Sequence, residues 1–131
     1  MRNIILDTNF LMIPLQFKVD IFSEIERICS FSYSLLVLEA SVRELENIAG
    51  TGKTKDRKAA AAALKLLKSK NIRIIKSGEK YADDAILRSA DEDTVVATQD
   101  MALKRKLAQK RISIIILRQK KYLQLIERKP L

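Results

Sequence analysis

The sequence predicts an α/β fold, a parallel sheet of about five strands with helices on both faces. Three observations predict it. Short runs rich in branched apolar residues recur at 3–6, 33–38, 72–75, 94–98 and 112–117. Between them lie stretches whose apolar residues repeat at helical spacing. Strands that alternate with helices are joined by right-handed crossovers, which set neighbouring strands parallel.

Residues 3–6 read as a buried strand that ends at Asp7. A short helix is expected over 9–15, stopped near Pro14. Asp20 is expected to cap the next helix, where Ile21, Ile25 and Ile28 share one face. After the strand at 33–38 comes a helix carrying Glu39, Arg43, Glu44 and Glu46, with Val42, Leu45 and Ile48 as its apolar side. The segment AGTGKTK at 49–55 is a glycine-broken basic loop. Asp56 is expected to cap a long alanine-rich helix to about Ser69. Its inward side is Ala60, Ala63, Leu64 and Leu67; Arg57, Lys58, Lys65 and Lys68 cluster on an adjoining flank. Gly78 marks a turn after the third strand. A helix opened by Asp83 and Asp84 buries Ala85, Ile86 and Ala90, and leads to the fourth strand. Asp100 then caps a helix containing Leu103 and Leu107. The tail at 118–131 is basic and reads equally as an edge strand or a helix.

The 131 residues suit one domain spanning 1–131. No apolar run approaches a membrane span, and the chain opens directly into a strand-like run, so neither a membrane segment nor a signal peptide is expected. Cys29 is the lone cysteine, which excludes an internal disulfide and suits a cytoplasmic protein. Lys and Arg number 25 against 16 Asp and Glu, for a net charge of +9. Such a field favours polyanions, nucleic acid first. Histidine is absent, which excludes Ser-His-Asp and Cys-His catalysis and a histidine general base. Any catalysis falls to carboxylates, with hard cations that prefer oxygen donors. Aromatic content of 5% leaves little for base stacking, which weighs against sequence-specific readout of RNA.

Gly52-Lys53-Thr54 matches the end of a phosphate-binding P-loop. That motif also needs a glycine five residues before Gly52, and a strand ahead of it. Asn47 occupies the position, within a helical pattern. No nucleotide cofactor is therefore expected.

The acids are placed more tellingly. Asp7 follows the first strand, Asp100 comes just after the fourth, Asp83 and Asp84 open a helix, and Glu44 lies within one. In open α/β sheets, ligands bind beyond the carboxyl ends of the strands where the strand order reverses. If the first and fourth strands are neighbours there, Asp7 and Asp100 meet, and Glu44 and Asp84 can reach the same cleft. Each acid alone has a plainer reading as a cap, an Asx turn or a solvated helix residue. Together they repel unless a cation binds, and a carboxylate cluster in a basic chain suits Mg²⁺ or Mn²⁺ acting on a phosphodiester. Lys104, Arg105 and Lys106, and the group Lys53, Lys55, Arg57 and Lys58, could hold the flanking RNA backbone or be ordinary solvated surface.

Four segments carry a resemblance: IILDTNF at 4–10, VREL at 42–45, YADDAI at 81–86 and VVATQD at 95–100, the last followed by Leu103-Lys104-Arg105. In this order they resemble the PIN-domain ribonucleases over nearly the whole chain, nearest the branch of the small-subunit rRNA-processing nuclease. The resemblance implies a three-layer α/β/α sandwich and divalent-metal-dependent cleavage of single-stranded RNA. It maps the family's acids onto Asp7, Glu44, Asp84 and Asp100, with Asp83 an extra neighbour, and leaves open which of Asp83 and Asp84 is the ligand. Asn9 and Thr98 match positions that support the acids. It leaves open rRNA-precursor processing, a toxin role with an antitoxin partner, and a homodimer. A non-catalytic RNA-binding role in ribosome assembly is the alternative on the same fold.

Overall fold

The computed structural model describes residues 1–129, so the last two residues of the basic tail lie outside the described residues. Among the described residues the chain forms, in order, β1 (Arg2–Leu6), α1 (Thr8–Leu11), α2 (Ile13–Phe17), α3 (Ile21–Ile28), β2 (Tyr33–Leu38), α4 (Glu39–Thr51), α5 (Thr54–Ser69), β3 (Arg73–Ile75), α6 (Ala82–Ser89), β4 (Thr94–Ala97), α7 (Met101–Gln109), β5 (Ser113–Arg118) and β6 (Tyr122–Ile126). They build one six-stranded sheet in the order β3-β2-β1-β4-β5-β6. The first five strands are parallel and β6 runs antiparallel to β5.

Alternate residues of the strands bury into opposite cores, as a sheet covered on both faces requires. Ile4, Leu6, Val37, Val95 and Ile115 join the cluster under α1 to α5, with Phe10, Ile21, Leu45, Ala60 and Leu67. Ile5, Leu36, Leu38, Val96 and Ile114 join the cluster under α6 and α7, with Ala85, Ile86, Leu103 and Leu107. The result is three layers. Chain order turns away in opposite directions at β1 and β4, which are paired with Ile4 opposite Val95 and Leu6 opposite Ala97. That junction is the switch point, and Asp7 and Asp100 follow its two strands.

Local caps follow the sequence at Asp20, which accepts from Phe22 and Ser23, and at Asp100, which accepts from Leu103. Two expectations need correction. Pro14 does not stop a helix; the helical segment breaks at Met12, and Pro14 lies in the first turn of α2, where its missing N–H has no intrahelical partner to lose. Asp56 is not the cap of α5, which starts from Lys53; its carboxylate sits in the first turn, still well placed against the helix dipole. Of the two readings of the basic tail, the edge strand is the one that forms: it pairs antiparallel with β5 through a turn in which Gln119 and Lys120 take left-handed φ values of 52° and 56°. The GKT segment joins helix to helix, which is not the strand-to-helix setting of a P-loop.

Candidate active site

The site is built from the end of β1, the starts of α6 and α7, and the body of α4. Asp7 leaves β1 and caps α1, its Oδ1 accepting from the Thr8 amide at 2.8 Å. Its other oxygen, Oδ2, accepts from Thr98 Oγ1 at 2.6 Å. Thr98 Oγ1 in turn accepts from the Asp100 amide at 3.0 Å. One hydroxyl thus ties the acid after β1 to the turn that carries the acid after β4.

A cavity of about 130 Å³ opens at this point, lined by Asp7, Thr8, Asn9, Met12, Glu44, Ile48, Asp83 and Asp100. Four carboxylates from β1, α4, α6 and the start of α7 therefore share one recess. Asp7 is 3% exposed. Its carboxyl is raised to about 6: burial is the largest cause, the hydrogen bonds from Thr98 and Thr8 act against it, and Asp83 and Glu44 add to it. Burial also raises the Glu44 carboxyl, which feels Asp83 and Asp100 as well. The Asp83 carboxyl is raised by burial and by Asp100, with Lys106 acting against the rise. This is the electrostatics of a place that needs positive charge.

Asp84 is not brought to this recess. It lies in the first turn of α6 but is exposed, and Asp83 takes the inward position. Thr98, expected as a support, is fully buried beneath Asp7. Asn9 lines the cavity and accepts from the Gln99 amide through Oδ1 at 3.2 Å. Of the basic groups, Lys53, Lys55, Arg57 and Lys58 are exposed around the start of α5. Arg105 and Lys106 are exposed on α7, and Lys104 is half-buried. Burial lowers the Lys104 ammonium, as does Arg118, while Asp100 acts the other way. Sequence reading missed Thr8, Met12, Ile48 and Gln99. Thr8 and Gln99 had a visible signal, each being the residue beside a strand-end acid; Met12 and Ile48 had none beyond apolar periodicity.

The donor set suits a hard divalent cation: oxygen ligands alone, several of them anionic. Thr8 Oγ1, on the same recess, is buried without a well-formed hydrogen bond. Among the described residues, no three acids already converge on a single ligating point. A cation that keeps part of its water shell, as Mg²⁺ does, fits that looser spacing. Glu44 reaches the recess from α4, the helix that follows β2.

Comparison with known proteins agrees with this picture. The family model described as a PIN like domain matches residues 4–120. The chain is similar to ribonuclease VapC4 of Methanocaldococcus jannaschii, at 35% identity over 95% of this chain and 97% of that one. It is similar to ribonuclease VapC9 of Archaeoglobus fulgidus, at 31% identity over 92% and 86%. Among solved structures, the PIN domain endonuclease Utp24 superposes with a TM-score of 0.79, at 23% identity over 98% of this chain and 95% of that one. At that identity the likeness speaks for the fold. The family match spans most of the chain, and with it the β1 and β4 ends, α4 and α6 that supply the acids: the chain belongs to the PIN-like domain family.

Proposed function

We propose that this protein is a divalent-metal-dependent endoribonuclease that hydrolyses phosphodiester bonds of single-stranded RNA. The observation that carries the reading is the recess in which Asp7, Glu44, Asp83 and Asp100 meet at the switch point of a strongly basic chain. The ribonuclease names of the two relatives support it. Asp7, Glu44, Asp83 and Asp100 would hold Mg²⁺ or Mn²⁺; Asp84 stands outside the set. The bound cation supplies charge neutralisation at the phosphate and a lowered pKa for water.

The chain's own residues do the rest. Thr98 holds Asp7 oriented and, by donating to it, favours its ionised form. Asn9 holds the turn after β4. Lys106, whose charge reaches Asp83, and Lys104, whose charge reaches Asp100, would meet RNA phosphates beside the recess. Lys53, Lys55, Arg57, Lys58 and Arg105 would extend that contact, weakening with salt. The whole chain would act as one catalytic unit in the cytoplasm.

The deciding experiment is cleavage of single-stranded RNA with Mn²⁺, comparing wild type with Asp7→Asn. The expected result is cleavage lost in the variant and in chelator. Equal cleavage by both proteins would mean contamination and end the assignment. Salt-sensitive RNA binding without turnover in either metal would favour the non-catalytic ribosome-assembly role. Two cellular settings share the chemistry. Growth arrest on expression, relieved by a co-expressed antitoxin, marks a toxin; association with pre-ribosomal particles marks rRNA processing. Light scattering tests the homodimer.

A further inference from the structure

We propose that Gln99 is a positioning residue of the acidic recess, acting through a two-point amide clamp on Asn9. The inference rests on the metal-dependent reading above and adds a residue that neither the family resemblance nor the cavity lining assigns. β1 and β4 are held side by side only as far as the strands run, and the last backbone bond between them is Asp7 N–H to Ala97 O at 2.9 Å. Beyond it the chains turn away, one into α1 and the other toward α7. Asp7 stands at the last paired position and Asp100 in the unpaired stretch beyond it.

Gln99 continues the pairing with side chains. Its backbone N–H donates to Asn9 Oδ1 at 3.2 Å, and its side-chain Nε2 donates to the Asn9 carbonyl at 3.2 Å. Gln99 thus donates both bonds, one from its backbone and one from its side chain, and Asn9 accepts both, one on its side chain and one on its backbone. The bond from Thr98 to Asp7 lies one step inside this pair. Together they stitch residues 7–9 to residues 97–99, with Asp7 at one margin and Asp100 directly after the other. Gln99 itself does not line the recess. Its effect is on where Asp7 and Asp100 stand relative to each other.

Glutamine suits the task on chemical grounds. The contact with the Asn9 carbonyl needs a neutral donor on a two-methylene arm. A carboxylate there would face a carbonyl oxygen with no proton to give, and would add a fifth negative group beside four. A methionine keeps the length and loses the donor.

The experiment is a titration of the full chain with Mn²⁺ by calorimetry, for wild type, Gln99→Met and Gln99→Glu, with thermal unfolding in chelator as the companion measurement. The expected result is weaker Mn²⁺ binding by about ten-fold in Gln99→Met. Gln99→Glu should lose at least as much despite its added carboxylate. Unchanged Mn²⁺ affinity in a folded Gln99→Met overturns the clamp, whatever its melting temperature. Tighter binding by Gln99→Glu overturns it too, because residue 99 would then be a ligand. Should Gln99→Met not fold, Gln99→Glu decides alone on the same criterion. A wild type that binds no Mn²⁺ and cleaves no RNA removes the metal-dependent reading, and the clamp's role with it. A wild type that binds Mn²⁺ beside an unaffected variant removes the clamp alone.

Discussion

Thr98 Oγ1 donates to Asp7 Oδ2 at 2.6 Å across the β1–β4 junction, and both residues are buried. Because the same hydroxyl accepts from the Asp100 amide, its loss would release two groups at once. We expect Thr98→Val to destabilise the protein by about 1–3 kcal/mol, the cost of stranding buried partners. The Asp7 carboxyl should move further up and RNA cleavage fall about ten- to one-hundred-fold. Thr98→Ser keeps the hydroxyl and should retain most of both. Urea unfolding and a cleavage time course check the pair; a Thr98→Val enzyme with unaltered turnover would show that the hydroxyl does not position Asp7.

Asp7 itself gives a pH dependence with a definite sign. Its carboxyl is raised from 3.8 to about 6, so the folded protein holds the proton more tightly than the unfolded chain. The stability it contributes is complete below pH 3.8, declines as pH rises to about 6, and is gone above. Asp7→Asn removes that dependence. In chelator near neutral pH the variant should therefore be more stable, by about 1–2 kcal/mol after one lost hydrogen bond is deducted. At mildly acidic pH near 4 the gain should vanish. Melting curves at the two pH values test this. A variant less stable than wild type at neutral pH would show that Asp7 is not strained by its burial. Cation affinity should rise over the same window, because the ligand must lose its proton first.

Asp83 and Asp84 should separate cleanly. Asp83 lines the recess and Asp84 is exposed on the same turn of α6. Asp83→Asn should abolish cleavage or reduce it by about one hundred-fold or more. Asp84→Asn should stay within about three-fold, a surface change on a helix first turn. Single-turnover rates with saturating Mn²⁺ decide it, and the reverse order of severity would return the ligand role to Asp84.

The contrast also shows what was legible in advance. The apolar positions Ala82, Ala85, Ile86 and Ala90 define the inward stripe of α6. At about 100° per residue, Asp83 falls on its margin and Asp84 nearly opposite. The helical pattern already held that distinction, whereas motif matching alone favoured Asp84. Asp7 and Asp100 were legible because a strand end at a switch point is fixed by topology. β6 was legible only as one of two alternatives, because its turn uses Gln119 and Lys120 in left-handed conformations without the glycine or asparagine that usually signals one. The clamp between Asn9 and Gln99 was hidden for another reason: it joins residues 90 apart in sequence through a pairing that no periodicity encodes.

Glu24 guards the sheet edge at β6. It takes two hydrogen bonds from Arg27 and one from the Leu123 amide at 2.9 Å, while Arg27 donates to the Leu123 carbonyl at 3.3 Å. An ion pair on α3 therefore occupies both outward backbone groups of one edge residue. The Arg27 guanidinium and the Leu123 amide hold the Glu24 carboxyl down to about 2. The stability it gives is present above pH 4.5 and is lost as pH falls through about 2. Glu24→Ala should cost about 1 kcal/mol, since the pair is partly solvated. It should also promote self-association through β6, visible in light scattering; a strictly unchanged association state would mean that the pair does not protect the edge.

The two glycines at the end of α4 should respond to alanine in opposite directions. Gly50 lies inside the helix, and a Cβ there would meet nothing within 4 Å. Gly50→Ala should stabilise by up to about 0.5 kcal/mol, part of the helix-interior propensity difference, since the residue lies in the last turn. Gly52 closes the helix, its N–H donating to the Ile48 carbonyl at 2.9 Å. A Cβ at this position would stand 2.7 Å from that same oxygen. Its φ of −71° is ordinary, so the demand for glycine comes from close approach and not from handedness. The obstructing atom is backbone, which cannot swing aside as a side chain would. Gly52→Ala should therefore destabilise by about 1–3 kcal/mol, the usual cost of overpacking. Because Ile48 lines the acidic recess, the shift should also reach Mn²⁺ affinity in Gly52→Ala and leave it untouched in Gly50→Ala. Chemical unfolding of the two variants side by side, with a Mn²⁺ titration of each, tests both signs; equal effects would mean that the end of α4 tolerates a side chain as freely as its interior.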